Sequence, residues 1–415
     1  MKPNLTDTPD RESNPFFHTY KRLPLDIDRG EGAYLITKDG TRYLDLFAGI
    51  AVNALGYGHS RVLNAIHDQA SKYIHLSNYF LQEPQLRLAH ALLKHSGYQK
   101  VFFTNSGTEA TEGAIKIARK WGASRGKNEI VAFSNGFHGR TMGALSIIDR
   151  PKYRDGYEPF LEHCRVLPFN DCEELRRALG PQTLAVVLEF IQGEGGIRSA
   201  TVEFVRTIEA LQQEHGFLLV ADEIQSGLGR TGKLFSFQHF GAMPDIVLAA
   251  KPLGGGLPLG AILGNSVVAD VLQTGTHGST FGGNPVACAA GIVVLEELME
   301  RGVMENAEAM GDLFLAKLAS LKAEHPWFIR DVRGIGLMIG IELSIESEAV
   351  AVALREKKVL VNATDKTVLR IVPPLIITSG HVEEFVQTLR QVIPLFEKRN
   401  ANSPPVPLSW QRGGE

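Results

Sequence analysis

Cysteine, long apolar runs and an excess of either charge are scarce in this sequence, and each scarcity removes a class of function. Three cysteines, Cys164, Cys172 and Cys288, occur in 415 residues. No pair has C-x-x-C spacing, so neither a zinc knuckle nor a disulfide framework is indicated, and a sparse, odd count fits a reducing compartment. No window approaches the roughly 18 uninterrupted apolar residues of a spanning helix. Residues 1–14 are polar and mixed in charge, without the apolar stretch of a signal peptide. A cytoplasmic protein with no membrane partner is the expectation. Basic and acidic residues number 43 and 46, a formal net charge of −3, which argues against a nucleic-acid partner. His59, His75 and His138 have no companion ligand cluster, so no metal is expected.

What is present is an ordinary globular composition, 44% hydrophobic and 21% charged, with 42 glycines in no collagen-like period. The length suits two or three domains at roughly 100–200 residues each. The first ten or so residues and the tail 403–415 are expected to be loose. Residues 32–45 read as a hairpin around Asp39-Gly40. From about residue 61, apolar runs of strand length (100–104, 130–133, 184–190, 217–221, 246–249, 261–263) alternate with helical stretches (108–121, 199–215, 285–301). That alternation predicts an α/β fold, a parallel sheet covered on both faces. A long helix, 304–324, then leads into strand-like segments 330–343 and 368–372 of a smaller α+β unit.

Residues 227–233, GLGRTGK, come close to two nucleotide-binding signatures. Neither holds in context. A phosphate loop needs Ser or Thr next, where Leu234 stands, and Asp222 and Glu223 before it would repel a pyrophosphate. The segment reads as a glycine-rich surface loop.

Four separated spots carry more. Asp222 closes the apolar strand FLLVAD. Lys251 closes DIVLAAK and precedes Pro252 and three glycines. Ser106-Gly107-Thr108-Glu109 opens a helix after VFFTN, and Phe137-His138-Gly139-Arg140 follows IVAF. In an open parallel sheet, ligands bind outside the carboxyl ends of strands, so the four could share one crevice. A lysine amine in a largely apolar pocket has a lowered pKa and can form a Schiff base with a carbonyl. A buried aspartate beside it can hold a proton on a pyridine nitrogen, the partner expected for pyridoxal phosphate. Ser106 and Glu109 make an S-x-x-E capping pattern, and the free N–H groups of that helix end suit a phosphate. Phe137 offers a face for a planar ring. Singly, each has an ordinary explanation as a solvated lysine, a cap or a core ring; the conjunction is what points to a site.

These residues stand in the stretches GIAVNALGYGH, FTNSGTEA, FHGRT, QGEGG, ADEIQSGLGRTG, STFGGNP and LRIVPPL. In order and spacing the chain resembles, from about Tyr20 to Val392, the class III (subgroup II) aminotransferases, pyridoxal-phosphate enzymes of fold type I. Within the class the wording is closest to the acetylornithine aminotransferases. The resemblance implies a large domain with a mainly parallel seven-stranded sheet at 59–302, a smaller α+β domain at 303–400 to which 1–58 contributes, and a tail at 401–415.

It also implies roles. Lys251 would be the Schiff-base lysine and proton shuttle, and Asp222 the partner of the pyridine nitrogen. Gln225 would lie near the ring hydroxyl, Phe137 against the ring, and Glu189 and His138 beside the cofactor. Ser106, Gly107 and Thr108 would bind the phosphate, and Ser279 and Thr280 would reach that of a neighbouring subunit in a homodimer with shared sites. Arg140 would clamp an α-carboxylate and Arg370 a second carboxylate, with Glu194 pairing with Arg370 when that carboxylate is absent. Tyr20 aligns with a substrate-side tyrosine. Ornithine aminotransferases carry tyrosine where this chain has Gly49, and usually tryptophan at His138. Both differences favour an acylated tail, or 4-aminobutyrate, over free ornithine. Two departures from the family pattern are Phe190 after Glu189 and Pro252 after Lys251. The implied reaction is transamination of N2-acetyl-L-ornithine with 2-oxoglutarate, giving N-acetyl-L-glutamate 5-semialdehyde and L-glutamate, in arginine biosynthesis. The alternative is another ω-aminotransferase acting on succinylornithine, 4-aminobutyrate, ornithine or a diamine.

Overall fold

The computed structural model describes residues 15–401; the expectations for the extreme N-terminus and for the tail 403–415 lie outside them. Its centre is a seven-stranded sheet in the order Lys100–Thr104, Gly260–Gly264, Ile246–Ala249, Leu218–Asp222, Thr183–Leu188, Glu129–Phe133, Cys164–Leu167. Four of these strands, Thr183–Leu188, Leu218–Asp222, Ile246–Ala249 and Gly260–Gly264, are buried at every residue. Both faces of the sheet are covered, which is why these strands read as unbroken apolar runs instead of alternating ones. Successive side chains still go to opposite faces. Leu218, Val220, Ile246 and Leu248 pack with Ala110, Ala114, Ala118 and Trp121 of the Gly107–Gly122 helix on one side. Leu219, Ala221, Val247 and Ala249 face the other side, with Ala287, Ala290, Val294 and Leu298 of the Pro285–Glu300 helix.

The sheet is seven-stranded and mainly parallel, as the resemblance implies, with two features that the apolar runs do not show. Gly260–Gly264 runs antiparallel to both neighbours, an orientation that its apolar run does not encode. Cys164–Leu167 is a further, parallel edge strand; half exposed and only four residues long, it has no apolar run to announce it. Residues 330–343 form two strands, Ile329–Ile335 and Met338–Leu343, joined by a tight turn.

The C-terminal part stacks the Val303–Glu324 helix on an antiparallel sheet ordered Ile329–Ile335, Met338–Leu343, Val368–Ile371, Asn362–Thr364. The hairpin expected at 32–45 forms between Tyr34–Thr37 and Arg42–Asp45. Its second strand pairs in parallel with Val359–Leu360, so segments from the first and last parts of the described residues share a sheet.

The glycine-rich loop is not on the surface. Gln225 to Thr231 are all buried, and the loop is the seam between the two parts. Arg230, 0% exposed, donates from Nη1 to the carbonyls of Leu337 (3.1 Å) and Pro373 (2.5 Å), while its own carbonyl accepts from the Leu337 N–H (2.9 Å). Burial pushes its guanidinium pKa down to about 9. Glu223 is also buried and braces the same loop from within the large part. Its carboxylate accepts from the Ser236 and Phe237 N–H groups (both 2.9 Å) and from the Ser226 (2.8 Å) and Ser236 (2.7 Å) hydroxyls. Burial nevertheless pushes it up to about 7.

A glutamine at 223 would turn an NH2 group toward one of those two backbone N–H groups whichever way it flipped. Glu223→Gln should therefore cost on the order of 1–3 kcal/mol of stability at neutral pH, read by urea unfolding; an unchanged midpoint would contradict the assignment. Because the folded pKa lies above the ordinary carboxylate value, Glu223 favours folding below about pH 4.5, and that contribution is lost as pH rises through about 7. The variant should lack that slope.

Candidate active site

The four spots singled out in the sequence do meet. Residues from Asn105 to Thr108, Phe137 to Arg140, Glu189, Asp222, Gln225 and Lys251 line one cavity of about 450 Å³ at the carboxyl ends of the parallel strands.

Lys251 lies directly after the Ile246–Ala249 strand and Ala250, at the start of a single 3-10 turn, Lys251–Gly254, with Pro252 in its first turn. Its φ is +42°, a left-handed conformation costing about 1–2 kcal/mol for a residue with a Cβ. Strain of this kind persists where surrounding structure imposes it. Burial lowers the pKa of the amine; Asp222, Glu194 and Glu189 pull the other way without cancelling that.

Asp222 ends its strand deep in the cavity, 3% exposed, with Oδ2 2.7 Å from Nδ1 of His138, itself 2% exposed. Oδ1 accepts from the Ile224 N–H at 3.1 Å. Burial disfavours a charged His138, but the hydrogen bond to Asp222 and the charges of Asp222 and Glu189 outweigh it and raise its pKa. The imidazole thus both fixes the aspartate's rotamer and shares its charge. Glu189 accepts from the Phe137 N–H (2.8 Å) and the Gly193 N–H (3.1 Å), and burial pushes its carboxyl pKa up. Phe190, the departure after it, is fully buried against the rings of Phe237 and Phe240. It belongs to the core and does not line the cavity.

Ser106 caps the Gly107–Gly122 helix, its Oγ accepting from the Glu109 N–H at 3.3 Å. The reciprocal half of the expected capping box is displaced by one residue: Glu109 accepts from the N–H and side-chain amide of Asn105 (2.8 and 2.9 Å). The helix end therefore opens onto the cavity with unpaired positive dipole. A Cβ on Gly107 would come within 2.7 Å of Ile224, and one on Gly139, at φ +131°, within 2.2 Å of the Thr108 hydroxyl. Only glycine lets the two loops approach there. Phe137 meets the Tyr153 ring edge-on at 5.7 Å, and the Arg140 guanidinium lies 3.8 Å over Tyr153 and 5.4 Å from Phe137.

Arg370 sits behind this wall, 1% exposed, on the Val368–Ile371 strand. Its Nη1 donates to Glu194 Oε1 (2.5 Å), to the Gly193 carbonyl (3.1 Å) and to Gln225 Oε1 (3.1 Å), and Nη2 donates to Asn362 Oδ1 (2.5 Å). Burial pushes Glu194 up, yet Arg370 and Lys251 outweigh it and hold its pKa below the ordinary value. Gln225 lines the cavity as expected, but its carbonyl oxygen is turned to Arg370.

Arg370 and Glu194 do not line this cavity, Glu194 instead facing a neighbouring one of about 490 Å³ with Arg150 and Tyr153, and four further expected residues also lie elsewhere. Ser279 and Thr280 line a separate cavity of about 790 Å³ with His75, Asn78 and Phe103; Ser279 reaches the site only through its Oγ, which accepts from Asn105 Nδ2 at 3.2 Å. Tyr20 is 79% exposed and does not line the cavity. Gly49 is exposed within a left-handed turn in which Ala48, Gly49, Ile50 and Ala51 all have φ between 49° and 64°; the nearby Val52 is what lines the cavity. Sequence reasoning missed Asn362, Tyr153 and Arg150, whose Nη2 donates to the Glu194 carbonyl at 2.8 Å. Asn362 was legible only as the residue facing Arg370 across a hairpin.

A cavity at strand ends with a strained lysine, a histidine-braced aspartate and a helix terminus is the arrangement of a pyridoxal-phosphate enzyme, and the comparisons specify which kind. The Aminotransferase class-III family matches residues 16–393, and the chain belongs to it. An acetylornithine aminotransferase from Caldanaerobacter subterraneus subsp. tengcongensis is 45% identical over 92% of this chain and 98% of its own. An N-acetylornithine aminotransferase structure from Stenotrophomonas maltophilia superposes with a TM-score of 0.80 at 36% identity, covering 92% of this chain and 98% of that one. An ornithine aminotransferase structure from Toxoplasma gondii, described with partial PLP occupancy at its active site, gives a TM-score of 0.88 at 32% identity over 93% of each chain. The fold is that of fold type I, and the cofactor of the class is pyridoxal 5'-phosphate. The residues fit that group: a helix N-terminus with close-packed glycines for a phosphate, a buried carboxylate for a ring nitrogen, a phenylalanine for the ring face, and a lysine of lowered pKa. Among the described residues no helix is long and apolar enough to cross a membrane.

Proposed function

We propose that this chain transfers the δ-amino group of N2-acetyl-L-ornithine to 2-oxoglutarate, yielding N-acetyl-L-glutamate 5-semialdehyde and L-glutamate, a step of arginine biosynthesis. The observation that carries it is the ion pair of fully buried Arg370 with partly exposed Glu194, behind the cavity of Lys251. One pocket must accept a dicarboxylate in one half-reaction and a longer monocarboxylate in the other. An internal carboxylate that takes the place of the second substrate carboxylate avoids a bare buried guanidinium. The names of the relatives supply the donor.

When bound, the cofactor supplies an aldehyde that accepts amines and a pyridine ring that withdraws electrons. This chain's residues do the rest. Asp222, braced by His138, would hold a proton at the ring nitrogen. Gly107 and Thr108 at the helix end would hold the phosphate, and Phe137 would lie against the ring. Lys251, its amine pKa lowered by burial, receives the substrate Cδ proton and returns it. Arg140, stacked on Tyr153, grips the α-carboxylate of the acceptor, and Arg370 grips the second carboxylate once Glu194 has moved off.

We place these roles in a homodimer of cytoplasmic subunits, each divided into a large domain at 59–302 and a smaller one at 303–400. Exposed Ile74, Tyr79, Phe80, Leu81 and Phe281 lie in the two segments that frame Ser279 and Thr280. An apolar surface of that kind suits burial against a second copy, where those two hydroxyls would serve the partner's phosphate.

The test is an absorbance scan of the purified holoenzyme before and after adding N2-acetyl-L-ornithine without keto acid. Bleaching of the yellow colour is expected, with its return on adding 2-oxoglutarate. Bleaching only by ornithine, 4-aminobutyrate or another amine would replace the donor.

A further inference from the structure

We infer that Asn362 is a positioning residue that selects the dicarboxylate acceptor, and that its neutrality is what matters. This rests on the reading of Arg370 given above. Asn362 and Arg370 face each other in the antiparallel pairing of Asn362–Thr364 with Val368–Ile371. Directly opposed residues place their side chains on the same face, within reach of each other. The amide oxygen of Asn362 takes Nη2 of Arg370 at 2.5 Å.

The partners of the guanidinium divide by charge. Gly193, Gln225 and Asn362 offer neutral oxygens, and Glu194 is the one ionised hydrogen-bond partner among the described residues. Those partners also divide by nitrogen. Nη1 carries Glu194, Gly193 and Gln225; Nη2 carries Asn362. Nε is buried without a hydrogen-bond partner among the described residues. When Glu194 moves off, Gly193 and Gln225 still hold Nη1, but Asn362 alone fixes Nη2. It does so without neutralising the cation, whose full charge then remains for the incoming carboxylate. An aspartate at 362 would have nearly the same shape and make the same hydrogen bond. It would also be a permanent counter-ion, and a dicarboxylate would then approach a site already negative. Like charges juxtaposed in a buried site are strongly disfavoured.

The experiment compares the two half-reactions of the holoenzyme separately, by stopped-flow absorbance, in Asn362→Asp, Asn362→Leu and Arg370→Ala. In Asn362→Asp, kcat/KM for 2-oxoglutarate should fall at least tenfold, mainly through the apparent dissociation constant, while the N2-acetylornithine half-reaction stays within about threefold. Asn362→Leu, equally large but uncharged and unable to accept, should lose less than the aspartate variant on 2-oxoglutarate. Equal losses in both half-reactions would mark Asn362 as merely structural and overturn the inference. So would a leucine variant as impaired as the aspartate one. Should Arg370→Ala itself fail to discriminate between the half-reactions, the reading of Arg370 is what falls.

Discussion

Replacing Lys251 by alanine should reduce turnover by at least about 10³-fold, the scale of a lost proton-transfer catalyst, without unfolding the protein. Lys251 is where the physical chemistry of the site is most concentrated: a left-handed backbone at φ +42°, a position lining the cavity, and an amine whose pKa burial lowers. Its removal leaves no bare charge behind. Asp222 keeps His138 at 2.7 Å, and Glu194 keeps Arg370 at 2.5 Å. Alanine inherits the same backbone strain as lysine, so the stability cost should be small, and circular dichroism and thermal midpoint should change little. Small primary amines such as methylamine should restore part of the lost rate, because the missing group is a base and not a framework. Turnover within tenfold of the parent would remove Lys251 from the mechanism.

Arg370→Ala should act on one half of the reaction. Two charged hydrogen bonds to a substrate carboxylate are worth about 1.5–3 kcal/mol each. That corresponds to a loss of about 10²–10⁴-fold in kcat/KM for 2-oxoglutarate. The donor half-reaction, which brings no second carboxylate, should fall far less. Equal losses would dismiss the assignment. A pH signature should accompany the change. Arg370 and Lys251 keep the Glu194 pKa depressed against the push of burial. A depressed carboxylate contributes stability above its ordinary pKa of about 4.5, and that contribution is lost as pH falls below it. The variant forfeits most of this at pH 7, so the stability gap between variant and parent should narrow toward acid. Glu194→Gln in the Arg370→Ala background should recover stability at neutral pH.

The strands of the large sheet were legible because burial on both faces leaves apolar runs, and 100–104 and 246–249 fall on their observed bounds. The convergence of Ser106, Phe137, Asp222 and Lys251 was legible for a related reason, since each closes or follows such a run. What escaped was information that a single run does not hold. Strand direction at Gly260–Gly264 depends on its neighbours. The loop around Arg230 looked exposed because glycines and an arginine are usually solvated, whereas here carbonyls of Leu337 and Pro373 take the charge. Glu223 was read as repelling a ligand, yet it faces four donors of its own chain. Asn362 acquires meaning only through a cross-strand register. Tyr20, expected beside the substrate, is exposed and lies away from the cavity.

The pairing of Arg42–Asp45 with Val359–Leu360 has a kinetic consequence. The strand Arg42–Asp45 waits for some three hundred residues before its neighbour exists, and Glu194 waits a further 176 residues of chain for Arg370. Ordering contacts so distant in sequence closes long loops and slows folding. During synthesis the central sheet can form while the substrate end of its cavity is still open and its Glu194 carboxylate unpaired. Competence therefore arrives late and all at once, when the last hairpin docks.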